Sequence, residues 1–147
     1  MSEPERFFRL FRGYSNAYGK TIVTGTEVNG KAKANSFIVR EPLTLELVEQ
    51  HLGGFMGIGA IPINESSYCF FGALDIDDYS LDLVGLLEKI HRFKLPLVLC
   101  RSKSGGAHLY LFLSQAIPAV ELRDKLAEFA SVLGWGTCEI FPKQDEV

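Results

Sequence analysis

Near the start of the chain, in PERFFRLFRGY, the apolar residues Phe7, Phe8, Leu10 and Phe11 fall at mixed helical spacing. That pattern predicts a short amphipathic helix beginning at Pro4 and capping the core. TIVTGTEV and KAKANSFIVRE then flank Asn29-Gly30, a dipeptide whose tolerance of positive φ suits the tight turn of a β-hairpin. Pro42 and Thr44 introduce a short helix through Leu45, Val48 and His51, which Gly53-Gly54 stops, and GIGAIPI reads as a strand.

From Tyr68 the apolar pattern alternates between the strand and helix periods. YCFFGALDID reads as a strand, and Ser80 is placed to cap a helix carrying Leu83, Leu86, Leu87 and Ile90. LPLVLCR forms a second strand, the SKSGG turn leads into AHLYLFL, and Pro118 opens a helix with Val120, Leu126, Phe129 and Leu133 inward. TCEIF is the last strand. The order βαββαβ predicts an α+β fold with a ferredoxin-like, RRM-like palm over about 68–141. We expect one domain over 1–147, with an N-terminal αβ unit over 1–66 and the palm over 67–147.

In that arrangement the first and third palm strands are central, the fourth lies beside the first, and both helices cover one face. Strand alternation then sorts the residues. Phe70, Gly72, Leu74 and Ile76 face the helices, while Phe71, Ala73, Asp75 and Asp77 share the open face. Leu109, Leu111 and Leu113 point inward and His108, Tyr110 and Phe112 outward, and Glu139 turns outward between Cys138 and Ile140. Three carboxylates and a histidine from separate parts of the sequence thereby converge.

Charge changes the picture in one respect. The 147 residues carry a net charge of -3, so any nucleic-acid contact must be local rather than the work of a bulk basic excess. Arg6, Arg9 and Arg12 read as a solvated helix face, and a second basic group comprises Arg101, Lys103 and Lys143. Cys69, Cys100 and Cys138 sit in apolar runs without a CxxC pair, which predicts buried free thiols in a reducing cytoplasm rather than zinc ligands or disulfides. His51 and His91 read as surface helix residues. No apolar run approaches the roughly 20 residues that span a bilayer, so we expect a cytoplasmic protein without a membrane partner.

Neighbouring carboxylates repel, and a divalent cation relieves that repulsion. Asp75, Asp77 and Glu139 therefore suggest a two-metal magnesium or manganese site for phosphoryl displacement. Asp78 falls on the opposite register or in the turn and receives no metal role. Ser104-Gly105-Gly106-Ala107-His108 is a glycine-rich turn whose N–H groups can approach an anion, followed by an imidazole. Each piece alone has a plainer reading: the DxD as a solvated acidic turn, SGG as an ordinary hairpin turn, Glu139 as an exposed strand residue, Lys143 as an idle surface charge.

FGALDIDDY, RSKSGGAHLYLF and CEIFPKQ together resemble the three motifs of the archaeo-eukaryotic primase superfamily: a strand ending in DxD, a small-residue turn leading to histidine, and a later acidic strand residue. The wording is nearest to the primase-polymerase domains of bacterial mobile-element and TOTE conflict-system proteins. The likeness extends back through PLTLELVEQHLGG and GIGAIPI. It implies a template-directed DNA or RNA primase-polymerase, a nucleotidyltransferase working in DNA replication. Its metal ligands would be Asp75, Asp77 and Glu139. The resemblance places Ser104 and His108 on the triphosphate, with Arg101, Lys103, Gly105 and Gly106 around them. The partners implied are a nucleoside triphosphate, a DNA or RNA template and primer, and a helicase or other replication or conflict-system domain. Family domains continue past the third motif, so the resemblance also implies either a piece of a longer protein or a reduced relative.

Three other readings remain open on the sequence. One is a catalytically inert primase homologue that still binds nucleotide or nucleic acid. A second is a nucleotidyl cyclase, whose palm uses the same frame. The third is an RNA-recognition module stacking bases on Phe71, Tyr110 and Phe112, although the carboxylates would then repel phosphate.

Overall fold

The first helix, α1 (Glu3–Leu10), is set by a reciprocal cap. The Ser2 hydroxyl accepts the Glu5 N–H at 3.3 Å and the Glu5 carboxylate accepts the Ser2 N–H at 2.7 Å, satisfying two donors that have no partner within the helix. The computed structural model describes residues 1–28, 31–103 and 105–147. Strands β1 (Tyr18–Val28) and β2 (Lys31–Val39) pair antiparallel from Tyr18 opposite Val39. The hairpin is therefore present, while its expected Asn29-Gly30 turn lies outside the described residues.

Thr44 caps α2 (Leu45–Leu52), its hydroxyl accepting the Leu47 N–H at 3.3 Å. The strand expected over GIGAIPI is only β3 (Gly57–Gly59), which pairs with β1 and gives the sheet order β2-β1-β3. The reason for its shortness lies in Ile61, whose carbonyl accepts the Tyr14 N–H at 2.8 Å. Gly13 approaches that carbonyl so closely that a Cβ there would sit 1.9 Å from the oxygen. The segment is thus tied to the chain following α1, and Ile63 reaches Cys69 through an isolated bridge.

The rest of the chain is β4 (Tyr68–Ile76), α3 (Leu83–Arg92), β5 (Val98–Arg101), β6 (Ala107–Pro118), α4 (Ala119–Leu133) and β7 (Glu139–Phe141). Its antiparallel sheet runs β5-β6-β4-β7, the order expected of the βαββαβ palm. Leu74, Ile76, Leu109 and Leu111 are buried with Leu86 and Ile90 of α3 and Leu122, Leu126 and Leu133 of α4, each contributing about 1.5–3 kcal/mol of apolar burial. Gly72 is what lets α4 lie so near β4: a Cβ there would meet both Leu122 and Leu126 at 2.8 Å.

Four details differ from the sequence reading. The β4–β6 ladder shifts between Cys69 and Phe71, so Cys69, rather than Phe70, enters the core; Phe70 lies under the Arg12 guanidinium, 3.7 Å from its ring centroid. Ser80 does not cap α3. Its N–H and hydroxyl both donate to Asp78, at 3.0 and 2.9 Å, and Asp82 caps the helix by accepting the Gly85 N–H at 3.0 Å. Leu87 is 40% exposed and Val120 45% exposed. The inward stripe of α4 runs instead through Ala119, Leu122, Leu126, Ala130 and Leu133, the true helical period. Of the cysteines, all free, Cys69 is buried, Cys138 half-buried and Cys100 exposed, because β5 is an edge strand.

Candidate functional site

Pairing across three strands builds the site. Asp75 of β4 stands opposite His108 of β6 on one side and opposite Glu139 of β7 on the other. Directly opposed residues in an antiparallel pair project from the same face, with Cβ atoms about 4.5–5.5 Å apart. Asp75, His108 and Glu139 therefore form one row across the sheet. His108 Nε2 lies 3.4 Å from Asp75 Oδ1. Glu139 is exposed and its carboxylate is 3.0 Å from Lys143 Nζ, so its side chain turns toward the groove shared with Arg123 and Asp124. Asp77 is exposed just beyond the end of β4. Among the described residues, no three His, Cys, Asp or Glu side chains stand close enough as placed to enclose a metal ion.

The glycine turn reaches this row by close backbone contact. Ser102 N–H donates to the Gly106 carbonyl at 2.9 Å, closing the turn, and Gly105 has φ +96, a conformation that glycine adopts without steric cost. A Cβ on Gly106 would sit 2.2 Å from the Ile76 carbonyl oxygen. The turn is thereby pressed against the backbone joining Asp75 to Asp77. Ser104 lies outside the described residues. Lys103 is exposed on the turn, and Arg101 pairs with core-facing Ala107, so Arg101 leaves β5 on the helix side rather than the His108 side. Cys100 is the β5 residue opposite His108.

The open face of the palm is roofed by the N-terminal unit. Phe11 meets Phe71, Tyr110 and Phe112 edge-on, with ring centroids 5.2, 5.3 and 5.2 Å away. This contact covers the aromatic surface on which an RNA-recognition module would stack bases. Beside it is a cavity of about 410 Å³ bounded by Phe7, Phe8, Val48, Ile58, Ala73 and Phe141, among others, with Asp75, His108, His51 and Tyr110 as its titratable lining. His51 is thus not a surface residue. It is half-buried, its Nδ1 is 3.0 Å from the Met56 carbonyl oxygen, and its ring packs against Phe7 at 5.9 Å. His91, in contrast, is exposed.

Burial, with smaller contributions from Cys100 and Asp75, raises the Tyr110 hydroxyl pKa. Cys138 is also raised, first by burial and lastly by Asp75, with its own backbone N–H opposing. The field of Asp75 thus reaches Tyr110 on β6 and Cys138, the residue before β7. Oxygen donors on β4 and β7 match the preferences of magnesium or manganese. Asp75 and Glu139 share a face, so the donor set fits such an ion once Glu139 turns from Lys143.

Among these features the sequence reading missed His51, and it gave Phe11 to a core-capping helix without its aromatic contacts to the palm. A signal was available for Phe11, since its helix is the one element of the N-terminal unit with consecutive aromatics. None existed for His51, whose position depends on how α2 meets β3.

An antiparallel βαββαβ sheet with an acidic row opposite a histidine, roofed by an N-terminal αβ unit, defines an α+β protein with a palm-like sheet. The chain belongs to the archaeo-eukaryotic primase domains of TOTE conflict systems: the model of that family matches residues 5–147. Comparison with curated proteins finds no match. Among the described residues, no helix is long and apolar enough to cross a membrane.

Proposed function

We propose that this domain is a primase-polymerase that transfers nucleotides from a nucleoside triphosphate to a growing strand on a DNA or RNA template. The observation that carries this reading is the row Glu139–Asp75–His108 on adjacent strands beside the roofed cavity. Family membership supplies the class of chemistry. Asp75, Asp77 and Glu139 would hold magnesium or manganese. When bound, the ions would supply Lewis-acid stabilisation of the attacking and leaving oxygens.

The protein's own groups divide the remaining work. The Gly105 N–H donates to the Ser102 carbonyl at 3.1 Å, so the backbone N–H of Gly106 is the one that suits a phosphate oxygen, with Ser104 and Lys103 as further contacts. His108, whose Nε2 lies 3.4 Å from Asp75 Oδ1, is placed to donate from that nitrogen to a phosphate oxygen. Arg101, on the helix side of its strand, is the weakest of the proposed contacts. Phe11 and the other apolar walls keep water from one side of the row and hold the nucleotide against the sheet. The reaction proposed is in-line attack of a strand 3′-hydroxyl on the α-phosphate, with pyrophosphate leaving.

A second reading, an inert homologue that still binds nucleotide, draws support from the Glu139–Lys143 contact, which leaves the third carboxylate turned away. Calorimetric titration with a nucleoside triphosphate, with and without manganese, tests both against the Asp75→Asn/Asp77→Asn double variant. The catalytic reading expects manganese-dependent binding that the variant loses and template-dependent product from the unmodified protein. Binding without any product supports the inert reading. Release of cyclic nucleotide without template would make the palm a cyclase. Equal manganese-dependent binding by both proteins would remove the aspartates from the site.

A further inference from the structure

On the far side of α1 from the cavity runs a groove of about 530 Å³ lined by Met1, Arg6, Arg9, Leu10 and Arg12 from the N-terminal segment and by Phe112, Leu113 and Ser114 of β6. The sequence reading gave these arginines to a solvated helix face. Their placement is more specific than that. All three border one concave surface, no acidic residue lines it, and among the described residues none of them has a carboxylate within ion-pair distance. Glu5, the nearest acid in sequence to Arg6, is engaged in the Ser2 cap.

Arg12 is fixed in position: its guanidinium stacks over Phe70 at 3.7 Å and donates to the Arg9 carbonyl at 3.1 Å. Arg6 and Arg9 are exposed, one helical turn apart, with free guanidinium forks. The opposite wall is the β6 segment Phe112–Ser114, where the Phe112 ring is held by Phe11 and Tyr110 and gives the groove an apolar side. A groove with three guanidinium groups and no acidic lining is the chemistry that tracks the phosphates of a single strand. β6 also connects the groove to the carboxylate row. Ser114 is six residues along β6 from His108, roughly 20 Å at the usual strand rise, the length of about six stacked nucleotides.

We propose that this groove is the track for a single-stranded polynucleotide, with Arg6 and Arg9 as phosphate contacts and Arg12 as its fixed end. The choice of a polynucleotide rests on the nucleotidyl-transfer reading. The groove's charge and shape do not. α1 separates the two surfaces, so strand binding and triphosphate binding are separable measurements.

The experiment is fluorescence anisotropy of a labelled single-stranded oligonucleotide across a salt series, using the full chain, Arg6→Gln/Arg9→Gln, and Lys89→Gln/Lys125→Gln, which removes equal charge from α3 and α4. The slope of log affinity against log salt should fall in magnitude by about 1.4 in the arginine variant, about 0.7 for each lost phosphate contact, and stay unchanged in the lysine control. Metal-dependent triphosphate binding should be the same in all three. Unchanged slope and affinity in the arginine variant would overturn the proposal, as would an equal loss in the lysine control. So would absence of oligonucleotide binding by the unmodified chain at low salt, including the case in which it binds anionic vesicles instead. If triphosphate binding fails everywhere while the arginine-dependent slope persists, the groove stands and the catalytic reading falls.

Discussion

Glu139 stands directly opposite Asp75 in the β4–β7 ladder, yet its carboxylate is 3.0 Å from Lys143 Nζ. Both partners of that ion pair are 60% exposed, and exposed pairs of this kind are worth about 0.2–1 kcal/mol. The contact is therefore a weak hold on a carboxylate whose backbone is already in the row. Lys143→Met should free it and tighten manganese binding by about 1.5- to 5-fold, the same free energy expressed as a ratio. Titration of the metal against both proteins checks this. Weaker binding in the variant would instead give Lys143 a positive role at the site.

Gly106 carries the contact between the glycine turn and β4. With a Cβ placed 2.2 Å from the Ile76 carbonyl oxygen, Gly106→Ala must displace the turn, because the obstructing atom is backbone. Overpacking of this type destabilises by about 1–3 kcal/mol. Urea unfolding should show that loss, and triphosphate affinity should fall as well, since the Gly106 N–H moves from the Asp75–Asp77 end of the strand. A variant with unchanged affinity would place the phosphates elsewhere.

Much of the palm was legible because its signal is local and repeated. Leu74 and Ile76 alternate with Asp75, Leu109 and Leu111 with His108 and Tyr110, and one face of each strand needed burial. Once the βαββαβ order was read, the pairing of Asp75 with His108 and Glu139 followed from topology. The errors have a different origin. Phe70 and Cys69 exchanged roles because a ladder shift reverses the alternation, and no local residue announces it. Val120 is exposed because the inward stripe of α4 follows the period that Ala119, Leu122 and Leu126 share, which Val120 does not. Arg101 lies on the helix side because it pairs with Ala107, a register decided by the length of the glycine turn. His51 and the Lys143 contact depend on tertiary packing and side-chain rotation, which alternation does not encode.

Phe11 is the residue that joins the N-terminal unit to the palm, touching Phe71, Tyr110 and Phe112 at once. It is half-buried, so Phe11→Ala should destabilise by about 2–3 kcal/mol, below the 3–5 kcal/mol typical of a fully enclosed phenylalanine. The roof of the cavity would loosen while the palm core, centred on Leu74 and Leu126, remained. Denaturant unfolding gives the stability loss. Hydrogen exchange should show increased opening of α1 with little change in α4, whereas uniform loss of protection would mean that the two parts unfold only together.

Cys69 sets an alkaline limit on stability. Its thiol is 0% exposed, and burial pushes its pKa from 9.0 up to about 11. The folded state therefore keeps a proton that the unfolded chain releases above about pH 9. Between those values the unfolded state binds fewer protons, so stability falls as pH rises, and the loss levels off above about pH 11 at about 2–3 kcal/mol for this group. Below pH 9 both states hold the proton and Cys69 adds no pH dependence. Urea unfolding at pH 8 and at steps through pH 10.5 should show the decline, with a shallower one in Cys69→Ala. The remaining slope in that variant is expected from Cys138 and Tyr110, both also raised by burial. Thiol labelling gives an independent reading: exposed Cys100 should react in the folded protein, while Cys69 should react only as fast as the protein unfolds. Equal labelling of both in the native state would contradict the burial on which the alkaline limit depends.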